Sequence, residues 1–138
     1  MLSEKYEVAR DDYANAGRVS SQVKQYLSSL GVSSDVLRRI AVACYEAEIN
    51  MIIHAWGGAI NLNVTDDGVI QLIFKDVGPG ITDLEKALTP GWSTASEEAR
   101  SFGFGAGMGL VNIKRVSDEF DIVSSEEGTT LTIGFKVS

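Results

Sequence analysis

Between Ile40 and Thr65 an otherwise uncharged run is broken only by Glu46, Glu48 and His54. Its first half repeats apolar residues at helical spacing: Val36, Ile40, Ala43, Cys44, Ala47, Met51 and Ile52. Its second half alternates Ile60, Leu62 and Val64 against Asn61 and Asn63, with Gly57-Gly58 between the two patterns. The period changes from that of a one-faced helix to that of a half-buried strand. Each element has one apolar face to cover, and the joint is too short for either to find a distant partner, so a helix layer on a sheet layer is the expected solution.

The flanking segments fit this plan. Tyr6 and Val8 alternate with Glu7 and Ala9 and suggest a first strand. Asp12 to Leu30 reads as a helix with Val19, Val23, Tyr26, Leu27 and Leu30 on one side and Gly31 as its stop. Ser33 or Ser34 caps the second helix, with Asp35 in its first turn and an end near Trp56. After Ala59–Thr65, Asp66-Asp67-Gly68 is a hairpin turn and Val69–Lys75 the return strand. The stretch from Asp76 to about Gly109 is rich in Gly, Ser and Thr, with one short helix candidate over Asp83–Leu88; irregular stretches of such length are usually functional. Leu110–Val116 reads as a helix, and Glu119–Ser124 with Thr129–Val137 as a last hairpin. Helices followed by meandering strands indicate one domain over residues 1–138, a two-layer α+β sandwich rather than a βαβ array.

Composition excludes several classes. The 138 residues hold 12 Lys+Arg against 19 Asp+Glu, a formal net charge of −7. A phosphate-backbone or anionic-membrane surface needs the opposite excess, so neither nucleic acid nor membrane is expected as a partner. Cys44 and His54 are the only residues of their kinds, which excludes an intramolecular disulfide and a Cys/His zinc site. There is no signal-peptide pattern and no apolar run fit to span a membrane, so a cytoplasmic setting is expected.

Three motifs carry chemistry. Glu46, Asn50 and His54 recur every four residues and form one polar ridge on the second helix, with Glu48 displaced by about 200° from Glu46. A solvated helix face is the plain alternative, but the run around it should be mostly buried. Asp76-Val77-Gly78-Pro79-Gly80 follows a strand, and its glycines allow close backbone approach to a ligand; a turn capped by an aspartate is the alternative. Gly103, Gly105, Gly107 and Gly109 alternate into a helix start, which makes a phosphate cradle or a flexible hinge. No Gly-Lys-Ser/Thr follows, so this is not a Walker P-loop.

In order and spacing these motifs resemble the GHKL ATPase superfamily: an E-x-x-x-N box (Glu46 to Asn50), a D-x-G-x-G box (Asp76, Gly78, Gly80) and a glycine-rich box (Gly103 to Gly109), with Gly128-Thr129-Thr130 like its adenine-side threonine. The resemblance runs from about Ile40 to Phe135. It implies a Bergerat-type ATP-binding fold, with helices on one face of a mixed, mainly antiparallel sheet. Neither dimerisation helices with a phospho-accepting histidine before the box nor a transducer domain is expected from these 138 residues. What remains is the short branch of bacterial anti-sigma factors and switch serine/threonine kinases, and the stretch from Gly91 to Ile122 looks like its switch-kinase members. The box helix departs from the commoner anti-sigma pattern, which has small or hydroxyl residues at the places of Glu48 and Ile49.

The resemblance implies roles residue by residue. ATP and Mg²⁺ are the cofactors. Asn50 ligates the metal, Asp76 accepts from the adenine amine with support from Thr130, and Gly78 and Gly80 let the backbone pass the nucleotide. The amides around Gly103, Gly105, Gly107 and Gly109 hold the phosphates, and Glu46 is the general base. Arg100 is a candidate γ-phosphate cation, with a plain surface arginine as the alternative. Thr89 to Gly107 is the expected lid, with Trp92, Phe102 and Phe104 on it. The implied partner is a protein regulator, an antagonist-like protein or a sigma factor, and a homodimer is possible. Two functions stay open: phosphoryl transfer from ATP to Ser or Thr of that partner, or an ATP-gated module that sequesters it without catalysis.

Overall fold

The computed structural model describes residues 2–78 and 109–137. Its elements are β1 (Leu2–Val8), a 3-10 turn at Tyr13–Asn15, α1 (Arg18–Ser29), α2 (Ser34–His54), β2 (Gly58–Val64), β3 (Val69–Asp76), α3 (Gly109–Val116), β4 (Glu119–Ser125) and β5 (Gly128–Lys136). The short helix expected over Asp83–Leu88, the lid, and Gly80, Gly103, Gly105 and Gly107 lie outside the described residues.

The strands form a five-stranded sheet in the order β1-β2-β3-β5-β4. The sheet expected to be mixed and mainly antiparallel is antiparallel in every described pairing. One face is covered. Ile60, Leu62, Ile70, Leu72, Phe74, Leu131, Ile133 and Phe135 are buried there, against Val23 and Leu27 of α1, Ile40 and Ala47 of α2 and Ile113 of α3. The opposite face is polar, with Lys5, Asn61, Thr132 and Asp121 aligned by the strand register. All seven apolar residues that mark the α2 stripe are buried, as the helical period requires.

The α2 cap is Ser33, whose side chain accepts from the Val36 amide at 3.5 Å. The first helix departs from expectation. It starts at Arg18 rather than Asp12, because Gly17 has φ +93°, a left-handed conformation that an uninterrupted right-handed helix does not contain. Leu30, read as part of its apolar stripe, sits past its end and is exposed.

Candidate functional site

The site residues gather around the C-terminal half of α2. Its end is tied to the end of β3 by Trp56 N–H donating to the Val77 carbonyl at 2.8 Å and Val77 N–H donating to the Gly57 carbonyl at 3.0 Å. These bonds bring the Asp76–Gly78 segment to the end of the box helix. Gly78 is buried, and a Cβ there would lie 3.4 Å from the Cα of Ala55.

Glu46 and Asn50 are not on a solvated face. Both are half-buried and directed at α3. Burial pushes the Glu46 carboxyl above the usual glutamate value, and the neighbouring Asn112 side chain of α3, which favours the charged form, opposes this in part. Asn50 lies against the first residue of α3: a Cβ on Gly109 would stand 3.0 Å from Asn50 Oδ1 and 3.1 Å from Nδ2. A methyl there would press the Asn50 amide away by a few tenths of an ångström, so the glycine sets how closely the start of α3 approaches it. The side chain of His54, third on the ridge, is outside the described residues.

At the other end of the site Asp76 is half-buried and accepts a 2.8 Å bond on Oδ1 from the Thr129 amide. Burial raises its carboxyl above the aspartate value, again opposed by that bond. Gly128 has φ +144°, and a Cβ there would collide with the Asp76 carbonyl and come within 3.2 Å of Oδ1. The turn between β4 and β5 is therefore moulded around Asp76, and it also reaches Gly78, whose N–H donates to the Glu127 carbonyl at 3.4 Å.

Thr130, expected beside Asp76, is on the other face of the sheet. It pairs with Lys75 and Val123, both exposed, whereas Thr129 lies on the helix-covered side with Leu131 and Ile133. Strand side chains alternate, so a one-residue difference reverses the face. The support for Asp76 comes from Thr129, whose hydroxyl is also 2.8 Å from that of Ser124.

A Mg²⁺ ion in this family of sites would need oxygen donors. Among the described residues no three His, Cys, Asp or Glu side chains cluster to hold a metal by themselves. The Asn50 amide oxygen at the start of α3 suits an ion whose remaining ligands come from phosphate and water.

With the geometry in hand, comparison with known proteins decides the family. A model of the histidine kinase-like ATPase domain matches residues 9–135. The chain belongs to that family. Among its relatives, the anti-sigma F factor of Bacillus subtilis (strain 168) is 35% identical over 117 residues, covering 80% of this chain and 77% of the relative. The anti-sigma F factor of Geobacillus stearothermophilus is 35% identical over 130 residues, covering 89% and 84%. Two solved structures share the fold. The RsbU and RsbW domains of Rv1364c from Mycobacterium tuberculosis align at TM-score 0.66 and 18% identity, over 97% of this chain and 32% of that one. The mycobacterial sensor histidine kinase MprB aligns at TM-score 0.56 and 15% identity, over 98% and 97%.

The histidine kinase-like ATPase domain is thus the frame for the site, and ATP with Mg²⁺ is what such a domain binds. No helix of the described residues is long and apolar enough to cross a membrane. Three site features escaped the sequence reading. Asn112 stands out in no motif of the sequence, and Thr130 rather than its neighbour Thr129 is the threonine that the motif points to. Glu48 is buried, with 2% of its surface exposed, and its carboxylate accepts from the Ser20 amide at 3.0 Å and the Val19 amide at 3.3 Å. The one available signal for Glu48 was a charge lying off the polar ridge in a run that must be buried.

Proposed function

We propose that this histidine kinase-like ATPase domain is an ATP-dependent regulatory serine/threonine kinase of the anti-sigma factor and switch-kinase type. It transfers the γ-phosphate of ATP to a Ser or Thr hydroxyl of a protein regulator in the cytoplasm. The observation that carries this reading is the state of Glu46. It is a half-buried carboxylate, raised above its usual value, beside Asn112 and one helical turn from Asn50. A module that only binds nucleotide has no use for a base held in that way. Relatives named anti-sigma F factor support the regulatory role.

Each residue contributes one task. Asp76, with Oδ1 engaged by Thr129, keeps its second oxygen to accept from the exocyclic amine of adenine, which a guanine carbonyl cannot supply. Gly78 lets the backbone pack closely on Ala55 at the end of α2 and pass close to the nucleotide. Gly80 likewise lets the backbone pass close to the nucleotide, and the first amides of α3, with Gly103, Gly105, Gly107 and Gly109 of the glycine-rich box, hold phosphate oxygens at a positive helix end. Asn50 ligates Mg²⁺, which neutralises phosphate charge when bound. Glu46 takes the proton of the attacking hydroxyl; a base with a raised pKa is the better proton acceptor. Phosphoryl transfer asks chiefly for positioning and charge neutralisation, which these groups supply.

The partner is an antagonist-like regulator or a sigma factor. Incubation of the chain with γ-labelled ATP, Mg²⁺ and a candidate antagonist protein tests the reading. Label on the antagonist with wild type and none with Glu46→Gln is the expected result. Nucleotide-dependent capture of the antagonist without label would instead leave a sequestering module.

A further inference from the structure

On α2, Glu48 lies two positions from both Glu46 and Asn50, about 200° around the helix from each. Its surroundings are those of an anchor. The N-terminus of α1 is flanked by Gly17, which offers no capping side chain. Glu48 takes the capping role from across the layer, accepting from Val19 and Ser20 with its two oxygens. A second tie lies about two turns earlier on the same face of α2: Ser20 Oγ donates to the Ala41 carbonyl at 3.1 Å. The other side of α2 meets α3 through Glu46–Asn112 and Asn50–Gly109. The helix that carries both reactive groups is thereby fixed from behind at two points.

We propose that Glu48 is a positioning residue: its bonds to α1 set the rotation of α2 about its own axis and so aim Glu46 and Asn50 at α3. This rests on the kinase reading above. The lever is short and the tolerance small. With side-chain tips about 6 Å from the helix axis, a roll of roughly 10° moves them by about 1 Å. A displacement of that size can cost about 10²-fold in rate. An aliphatic residue would fill the same volume without burying a charge, but it has no directional bond with which to resist the roll. A buried carboxylate with two amide partners has that direction, at a desolvation cost that plain packing would avoid.

The test compares the full chain with Glu48→Val, Glu48→Gln and Val23→Ala, the last a core substitution in α1 that lowers stability without touching the anchor. Three quantities are read: nucleotide affinity by calorimetry with ADP, initial γ-phosphate release from MgATP to water per bound nucleotide, and the Asn112 side-chain amide resonances in the nucleotide-free chain. In Glu48→Val the release rate should fall at least tenfold, ADP affinity should change less than threefold, and the Asn112 signal should move. Glu48→Gln keeps one acceptor and should fall between. Val23→Ala should keep both the wild-type rate and the wild-type Asn112 signal. A wild-type rate and unmoved Asn112 signal in both Glu48 variants would overturn the proposal, as would equal losses in Val23→Ala. If Glu48→Val does not fold, Glu48→Gln decides by the same criteria. A wild-type chain that neither releases phosphate nor labels the candidate antagonist refutes the kinase reading, and the Asn112 signal still judges the positioning role.

Discussion

The Thr129 amide donates a 2.8 Å hydrogen bond to Asp76 Oδ1, joining residues 53 positions apart in the chain. That bond holds the carboxylate on the helix-covered face of the sheet and leaves its second oxygen as an acceptor. Loss of the charge should therefore separate ligand binding from stability. Asp76→Asn should weaken ATP binding about tenfold, because a hydrogen bond to a charged group is roughly twice as strong as a neutral one. Calorimetry should also show a narrower preference for ATP over GTP.

The same substitution has an opposite effect on the fold. Burial holds the Asp76 carboxyl above its ordinary value. The folded state therefore binds that proton more tightly than the unfolded chain does. Its contribution to stability is present below the unfolded pKa and is lost as pH rises through the raised one. Asp76→Asn removes this dependence. Urea titrations across that window should show the variant gaining on wild type as pH increases, and a constant difference would contradict the desolvation argument.

Glu46 and Asn50 should fail differently. Glu46→Gln should keep ATP binding and lose phosphoryl transfer by about 10²–10⁴-fold. Asn50→Ala should lose Mg²⁺-dependent ATP binding itself. Equal loss of binding in both variants would mean that the two roles are wrongly divided.

Asn112 opposes the burial-driven rise of the Glu46 pKa. Asn112→Leu removes that opposition and should raise it further. Since a general base works deprotonated, the acid limb of the pH–rate profile should move to higher pH, while the plateau at high pH changes less. An unmoved limb would dissociate Asn112 from the base.

Glycine at 109 and at 128 serves two different ends. Gly109→Ala places a methyl 3.0 Å from the Asn50 amide, the mobile end of a side chain, so the fold should tolerate it while Mg²⁺-dependent binding falls. Gly128→Ala meets the Asp76 backbone carbonyl at φ +144° and should cost about 1–3 kcal/mol or more by denaturant titration.

Local pattern alone determined the layers. Ile40, Ala43, Cys44, Ala47 and Met51 had to share a buried helix face, and Ile60 and Leu62 a buried strand face, because those periods are properties of adjacent residues. The order of the motif boxes was enough to indicate an ATPase site. Tertiary structure decided which polar groups the burial selects and what they meet. The donors that receive Glu48 lie 28 and 29 residues earlier in the chain, and Asn112 reaches Glu46 only because α3 packs on α2. The choice of Thr129 over Thr130 depends on the register of β5 against β3, which no spacing within Gly128-Thr129-Thr130 contains. A carboxylate in an apolar run must find donors if it is buried, but the chain's path through space, not its neighbours in sequence, supplies them.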